Sequence, residues 1–163
     1  MAFDGAWSPL EHRGPARRLV AALKFKGAPG IADAMAAAIA ARAPEGALDG
    51  ELLVPVPADP MRQRLRGIDH AALLAAGLAG VCRRPVAPLL RRRGRAAAHT
   101  TLSRAQRMAS QSPTLHVVKA PPATVVLVDD VHTTGATLDT CARALLDAGC
   151  TRVRAVTFCR TLP

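Results

Sequence analysis

Two adjacent carboxylates, Asp129 and Asp130, end an aliphatic run and stand just ahead of a hydroxyl-rich turn, Thr133-Thr134-Gly135-Ala136-Thr137. Neighbouring acids accept hydrogen bonds from vicinal hydroxyls or help to hold a divalent cation. A small turn of threonine and glycine opening a helix offers backbone N–H groups and hydroxyls to an anion, a phosphate best of all. A sugar phosphate satisfies both halves. A second set of candidates is basic: Arg62, Arg64 and Arg66 in ADPMRQRLRG, suited to a pyrophosphate through forked guanidinium contacts.

These groups need elements to position them. Thr124 to Val128 is β-branched and aliphatic without polar alternation, which predicts a strand covered on both faces, as in a parallel sheet. Past the turn, Leu138, Cys141, Ala142, Leu145 and Leu146 recur at spacings of three and four. A helix therefore begins at the turn, and Gly149 closes it. Leu52 to Val56 predicts another buried strand, stopped by the prolines at 55 and 57. The loop over 58–67 then carries the three arginines to that strand's C-terminal end, where ligands sit in open parallel sheets.

The remaining pattern supplies the flanking layers. A helix starts with Pro15 at its first position and runs to Gly27. A second, alanine-rich helix covers 31–42 with Ile31, Met35 and Ile39 on one face. A third covers 68–81 and is expected to bury Ala72, Leu73, Ala76 and Leu78. Shorter strands are expected over 85–90, 114–118 and 153–158. Residues 91–101, RRRGRAAAHTT, lack periodicity and predict a mobile loop. Residues 1–12 read as an irregular lead-in, and 13–163 as one domain. Two other settings also end an aliphatic strand in acids. Response-regulator receivers place it at the start of the domain, and P-loop hydrolases add G-x-x-x-x-G-K-[ST], which this chain lacks. An ordinary βα turn with an incidental acid pair is the third.

Half of the residues are hydrophobic but only 2% are aromatic, so the core must be built from Ala, Val and Leu. No apolar run reaches the length of about 18 residues that a membrane span needs. Asp4 and Glu11 near the start do not suit a secretion signal, so a cytoplasmic chain is expected. The four cysteines contain no C-x-x-C pair, so neither a zinc ribbon nor a disulfide framework is expected. Cys82, beside Arg83 and Arg84, is the one to watch for reactivity. The net charge is +10, and no acid lies between Asp69 and Asp129. That interval holds Arg83, Arg84, Arg91, Arg92, Arg93, Arg95, Arg104, Arg107 and Lys119. Such a field suits a polyanion, either a sugar pyrophosphate or nucleic acid, unless it is only a solvated basic surface.

VVLVDDVHTTGAT resembles the phosphoribosyl-pyrophosphate motif of type I phosphoribosyltransferases: a hydrophobic run, two acids, then T-T-G-x-T. LLVPVPADPMRQRLRGIDHAALLAAGLA and HRGPARRLVAALKFKG are similar to two further signatures of the ComF (competence protein F) family, a branch of that fold. LSRAQRMAS, from Leu102 to Ser110, resembles a fourth, and the likeness runs from about Arg13 to the C-terminus. Ile68 and Asp69 stand where the family usually has Phe and Asn, and the family's four-cysteine zinc element is missing. The resemblance implies an α/β fold with a mainly parallel sheet flanked by helices, a small hood and a flexible loop holding Arg91, Arg92, Arg93 and Arg95. It also implies that Asp129 and Asp130 take the ribose hydroxyls, directly or through Mg²⁺, with no other protein ligand to the metal. Residues Thr133 to Thr137 would take the 5′-phosphate, and Arg62, Arg64 and Arg66 the pyrophosphate. Transfer of phosphoribosyl to or from a nitrogen nucleophile follows, with an oligomer allowed. His99, where the family often has Gln, is a candidate acid or a solvated loop histidine. The alternative implied by the family's link to competence is a DNA-uptake factor that binds single-stranded DNA or a partner protein through its basic face.

Overall fold

The computed structural model describes residues 1–92 and 115–162. Its centre is a parallel sheet in the order β1-β7-β6-β3, with β2 also paired to β7. The strands are β1 (Gly5–Trp7), β2 (Leu10–Glu11), β3 (Leu52–Pro55), β6 (Thr124–His132) and β7 (Arg152–Arg160). β4 (Leu90–Arg92) and β5 (Leu115–Val117) form a separate antiparallel pair. β6 lies between β3 and β7, with Leu127 facing Val54 on one side and Ala155 on the other. A strand so enclosed has apolar neighbours above and below, which explains why Val125 to Val128 show no alternation. All four are buried.

Helices cover both faces. α1 (Gly14–Lys26), α2 (Pro29–Arg42) and α4 (His70–Cys82) meet Val126, Val128, Val156 and Phe158 through Val20, Leu23, Met35, Ile39, Leu74 and Leu78. α5 (Ala136–Asp147) and the β4–β5 pair meet Val125, Leu127 and Val153 through Leu138, Cys141, Leu145 and Leu90. Burying each such aliphatic side chain contributes about 1.5–3 kcal/mol. Gly77 lets α4 approach α2, since a Cβ there would stand 3.2 Å from that of Ala36. The α/β class and the mainly parallel sheet expected from the sequence are what the chain forms. No helix among the described residues is long and apolar enough to cross a membrane.

Several local expectations are corrected. Residues 1–12 are not irregular, because β1 and β2 lie along β7, Gly5 to Trp7 facing Arg154 to Val156. Pairing with a partner some 150 residues away leaves no local signature. The loop expected over 58–67 contains a short helix, α3 (Pro60–Arg66). α4 starts at His70 because Asp69 caps it, its carboxylate accepting from the Ala72 N–H at 3.0 Å. Its buried residues are Ala71, Leu74, Ala75 and Leu78, so of the four expected only Leu78 is right. Pro55 is tolerated because β3 is the terminal strand of the sheet among the described residues, with a single bridge beyond it from Leu53 to Val86. Arg91 and Arg92, placed in a flexible loop, are in β4, and Arg92 Nε donates to the Pro57 carbonyl at 2.9 Å. Arg93, Arg95, His99 and the LSRAQRMAS segment lie outside the described residues.

Candidate functional site: an acid pair and a threonine turn at the end of the central strand

β6 delivers both carboxylates at its C-terminal end. Alternation along the strand sends them to opposite faces. Asp130 follows Val126 and Val128 toward α1 and α4, and only 3% of it is exposed. Lys24, from the last turns of α1, brings its Nζ to 2.7 Å from Asp130 Oδ2. That contact has ion-pair distance without hydrogen-bond alignment, since Oδ2 is buried and has no hydrogen-bond partner among the described residues. His70 Nε2, at the start of α4, lies 3.7 Å from Asp130 Oδ1. Burial holds the His70 pKa below its usual value, outweighing the pull of Asp130.

Asp129 is half-buried, and its Oδ1 accepts from the Asp130 N–H at 2.9 Å. Burial first, and then the Asp130 charge, pushes the Asp129 carboxyl up to about 8.

The turn that follows is built differently. Gly135 caps α5 with φ 76°, a left-handed conformation that favours glycine. A Cβ there would stand 2.8 Å from Met1 Cε and 2.9 Å from His132 Nε2, so a larger residue would also have to displace those side-chain ends. Thr133, Thr134, Ala136 and Thr137 are exposed, and Thr134 Oγ1 accepts from the Ala136 N–H at 3.4 Å. The first N–H groups of a helix have no partner inside it and point toward whatever stands before it. Residues 1–3 pack beside this turn: the Ala2 N–H donates to Asp139 Oδ1, and Phe3 meets the His132 ring edge to face at 6.4 Å.

His70, Asp129 and Asp130 offer one ligand atom each within 4.8 Å of one another, so a divalent cation fits the donor set chemically. Lys24 would share Asp130 with it. Lys24 and His70 were not among the residues singled out by sequence reasoning. The signal for Lys24 was its place on the apolar stripe of α1, where a lysine needs a partner; nothing marked His70.

The arginines are spread out. Arg64 is exposed on α3, and Arg66 is half-buried with its guanidinium 5.8 Å from the centre of the exposed Phe25 ring. Arg62 lies on the same helix, its side chain outside the described part. Arg84 is used structurally, donating to the Gly50 carbonyl at 3.1 Å and facing Asp49 at 3.8 Å. At Cys82, the cysteine to watch for reactivity, burial pushes the thiol up despite Arg84. Cys141 and Cys159 are pushed up to about 12 by burial.

The site therefore joins a parallel α/β sheet, an acid pair and a helix-opening threonine turn at the central strand. A family profile described as "Phosphoribosyl transferase domain" matches residues 86–162. Glutamine phosphoribosylpyrophosphate (PRPP) amidotransferase from B. subtilis, solved with ADP and GMP, is similar in fold, with a TM-score of 0.50 at 21% identity. The likeness covers 78% of this chain and 25% of that one. A structure described as the allosteric regulatory enzyme of purine biosynthesis also matches, at 21% identity and a TM-score of 0.45, covering 77% of this chain and 24% of the other. The chain thus spans about a quarter of the length of these solved structures. None of the curated proteins matches it.

Proposed function

We propose that this chain binds phosphoribosyl pyrophosphate at the C-terminal end of β6 and transfers its phosphoribosyl group to or from a nitrogen nucleophile, as a protein of ComF type. The observation that carries this reading is the continuity of strand, acid pair and Gly135-capped turn over Thr124–Thr137. Asp129 and Asp130 would accept hydrogen bonds from the ribose 2′ and 3′ hydroxyls. Lys24 would hold Asp130 in place and offset its charge. Residues Thr133, Thr134, Gly135, Ala136 and Thr137 would surround the 5′-phosphate. Arg62, Arg64 and Arg66 would receive the pyrophosphate, and Arg91, Arg92, Arg93 and Arg95 would help to exclude water.

In the transfer, the bond from ribose C1 to pyrophosphate breaks and a C1–N bond forms, with the proton lost from nitrogen. Positive charge grows on the sugar ring as the leaving group departs, and two nearby carboxylates favour that charge. Mg²⁺, held by Asp129 or Asp130, would supply charge neutralisation on the leaving oxygens.

Calorimetric titration with phosphoribosyl pyrophosphate and Mg²⁺ tests the site. Binding is expected for the native chain and lost in Asp130→Asn, and pyrophosphate release should appear with a suitable base or amine. Absence of binding by the native chain overturns the reading. A second reading, single-stranded DNA on the basic face, is favoured by the net charge of +10 and by Phe25, 77% exposed and backed by Arg66. Phosphate contacts through arginines weaken steeply with salt, so salt-insensitive binding would exclude it.

A further inference from the structure

Side chains from β6, α1 and α4 converge on one spot, and the donors there are of two kinds. The first is the acid pair. Asp130 is 3% exposed, and its Oδ2 is buried without a hydrogen-bond partner among the described residues. The Lys24 ammonium stands 2.7 Å from that atom, on a side chain that keeps 25% of its surface exposed. A buried carboxylate oxygen with an acceptor site unmade is unfavourable, and a further cation relieves it. Asp129 Oδ1 accepts from the Asp130 N–H at 2.9 Å, which turns this carboxylate back toward its neighbour.

The second kind is a ring nitrogen. Asp69 caps α4, so His70 is the first residue of that helix, and its ring meets the acids. Its Nε2 lies 3.7 Å from Asp130 Oδ1, too far for a hydrogen bond. Two ligand atoms about 2.1 Å from one cation stand roughly 3–4 Å apart, depending on the angle between them. The observed 3.7 Å falls in that span. One ligand atom from each of His70, Asp129 and Asp130 lies within 4.8 Å of the other two. The donor types decide the metal. Mg²⁺ is a hard cation that takes oxygen ligands and keeps much of its water, whereas imidazole nitrogen suits Zn²⁺ and its neighbours. Two carboxylates alone suit Mg²⁺, and His70 is what changes the preference.

We propose that His70, Asp129 and Asp130 together bind a divalent cation of the Zn²⁺ or Co²⁺ kind in preference to Mg²⁺. The assignment deepens the phosphoribosyl reading, on which it rests for the use of the metal, and adds a nitrogen ligand from outside β6. Lys24, by sharing Asp130, lowers the charge offered to the metal and weakens the hold on it.

The probe is metal alone, titrated calorimetrically into the full chain free of any histidine tag. Co²⁺ should fill a saturable site, with Mg²⁺ at least about tenfold weaker. His70→Gln should weaken Co²⁺ by about tenfold or more and leave Mg²⁺ within about threefold. A preference for Co²⁺ that survives intact in His70→Gln belongs to the carboxylates and overturns the proposal, as does the lack of a saturable site. Lys24→Gln should tighten Co²⁺, and no gain there would remove Lys24 as its competitor. Anomalous scattering from a cobalt-soaked crystal of the native chain reads the site without any variant. A peak within bonding distance of His70 Nε2 and both carboxylates is expected, and a peak elsewhere overturns the proposal. Cobalt bound there by a chain that ignores phosphoribosyl pyrophosphate would sink the phosphoribosyl reading and keep the metal site; the converse would sink the metal site alone.

Discussion

The two halves of the candidate site are built on opposite principles. The acid half is enclosed: Asp130 is buried, Lys24 stands against it, and Asp129 is bonded to its neighbour's backbone. The turn half is open, with Thr133, Thr134, Ala136 and Thr137 exposed and only Gly135 pinned by its surroundings. The enclosed half is part of the core, so changing it alters stability as well as any binding. The open half can be altered with little effect on folding, and its variants read binding almost directly.

The largest effect is expected at the ion pair. Lys24→Met leaves Asp130 buried without its cation and should cost about 3 kcal/mol, the lower end of the range for buried pairs because Lys24 keeps some contact with water. Urea unfolding measures this. Adding Asp130→Asn to Lys24→Met should recover part of the loss; strictly additive losses would show that the two residues do not interact. Next comes Gly135→Ala, which combines positive φ with overlap on Met1 and His132 and should cost roughly 1–2 kcal/mol. Gly149→Ala, with φ 104° but open space around its Cβ, is the strain-only control and should cost less.

A third test uses pH. The Asp129 carboxyl is raised from the ordinary carboxylate value to about 8, so the folded state holds a proton that the unfolded chain has released. Its contribution to stability is complete below the ordinary carboxylate pKa and is lost progressively as pH rises to about 8. Asp129→Asn should flatten that decline in a series of melts. An equal slope in both proteins would mean that Asp129 is not the titrating group. The smallest effect on folding is expected for Thr134→Val, which removes a long, exposed hydrogen bond and should change stability by less than about 0.5 kcal/mol. Phosphoribosyl pyrophosphate affinity should nevertheless fall, and equal affinity would take this hydroxyl out of the binding turn.

The enclosed half and the open half also differ in how far they could be read from the chain alone. β6, the turn and α5 are contiguous, and each announces itself locally: an aliphatic run, a glycine that must adopt positive φ, a stripe at helical spacing. Lys24 and His70 reach Asp130 only because α1 and α4 pack on one face of the sheet. That convergence is set by tertiary packing between residues more than fifty positions apart. The strands at 5–7 and 10–11 were missed for the same reason, being too short to show a period and defined by their pairing with β7. The buried face of α4 was misread because alanine and leucine surround the helix, so that several faces look equally apolar.

The arrangement of the first four residues bears on how the protein is handled. Met1 touches the position where Gly135 would carry a side chain, Ala2 bonds to α5, and Asp4 joins β7 through the Val153 carbonyl. A purification tag fused ahead of Met1 would therefore emerge beside the threonine turn and crowd it. Assays of phosphate-ester binding are best run on protein carrying its handle elsewhere, or with the leading tag cleaved away.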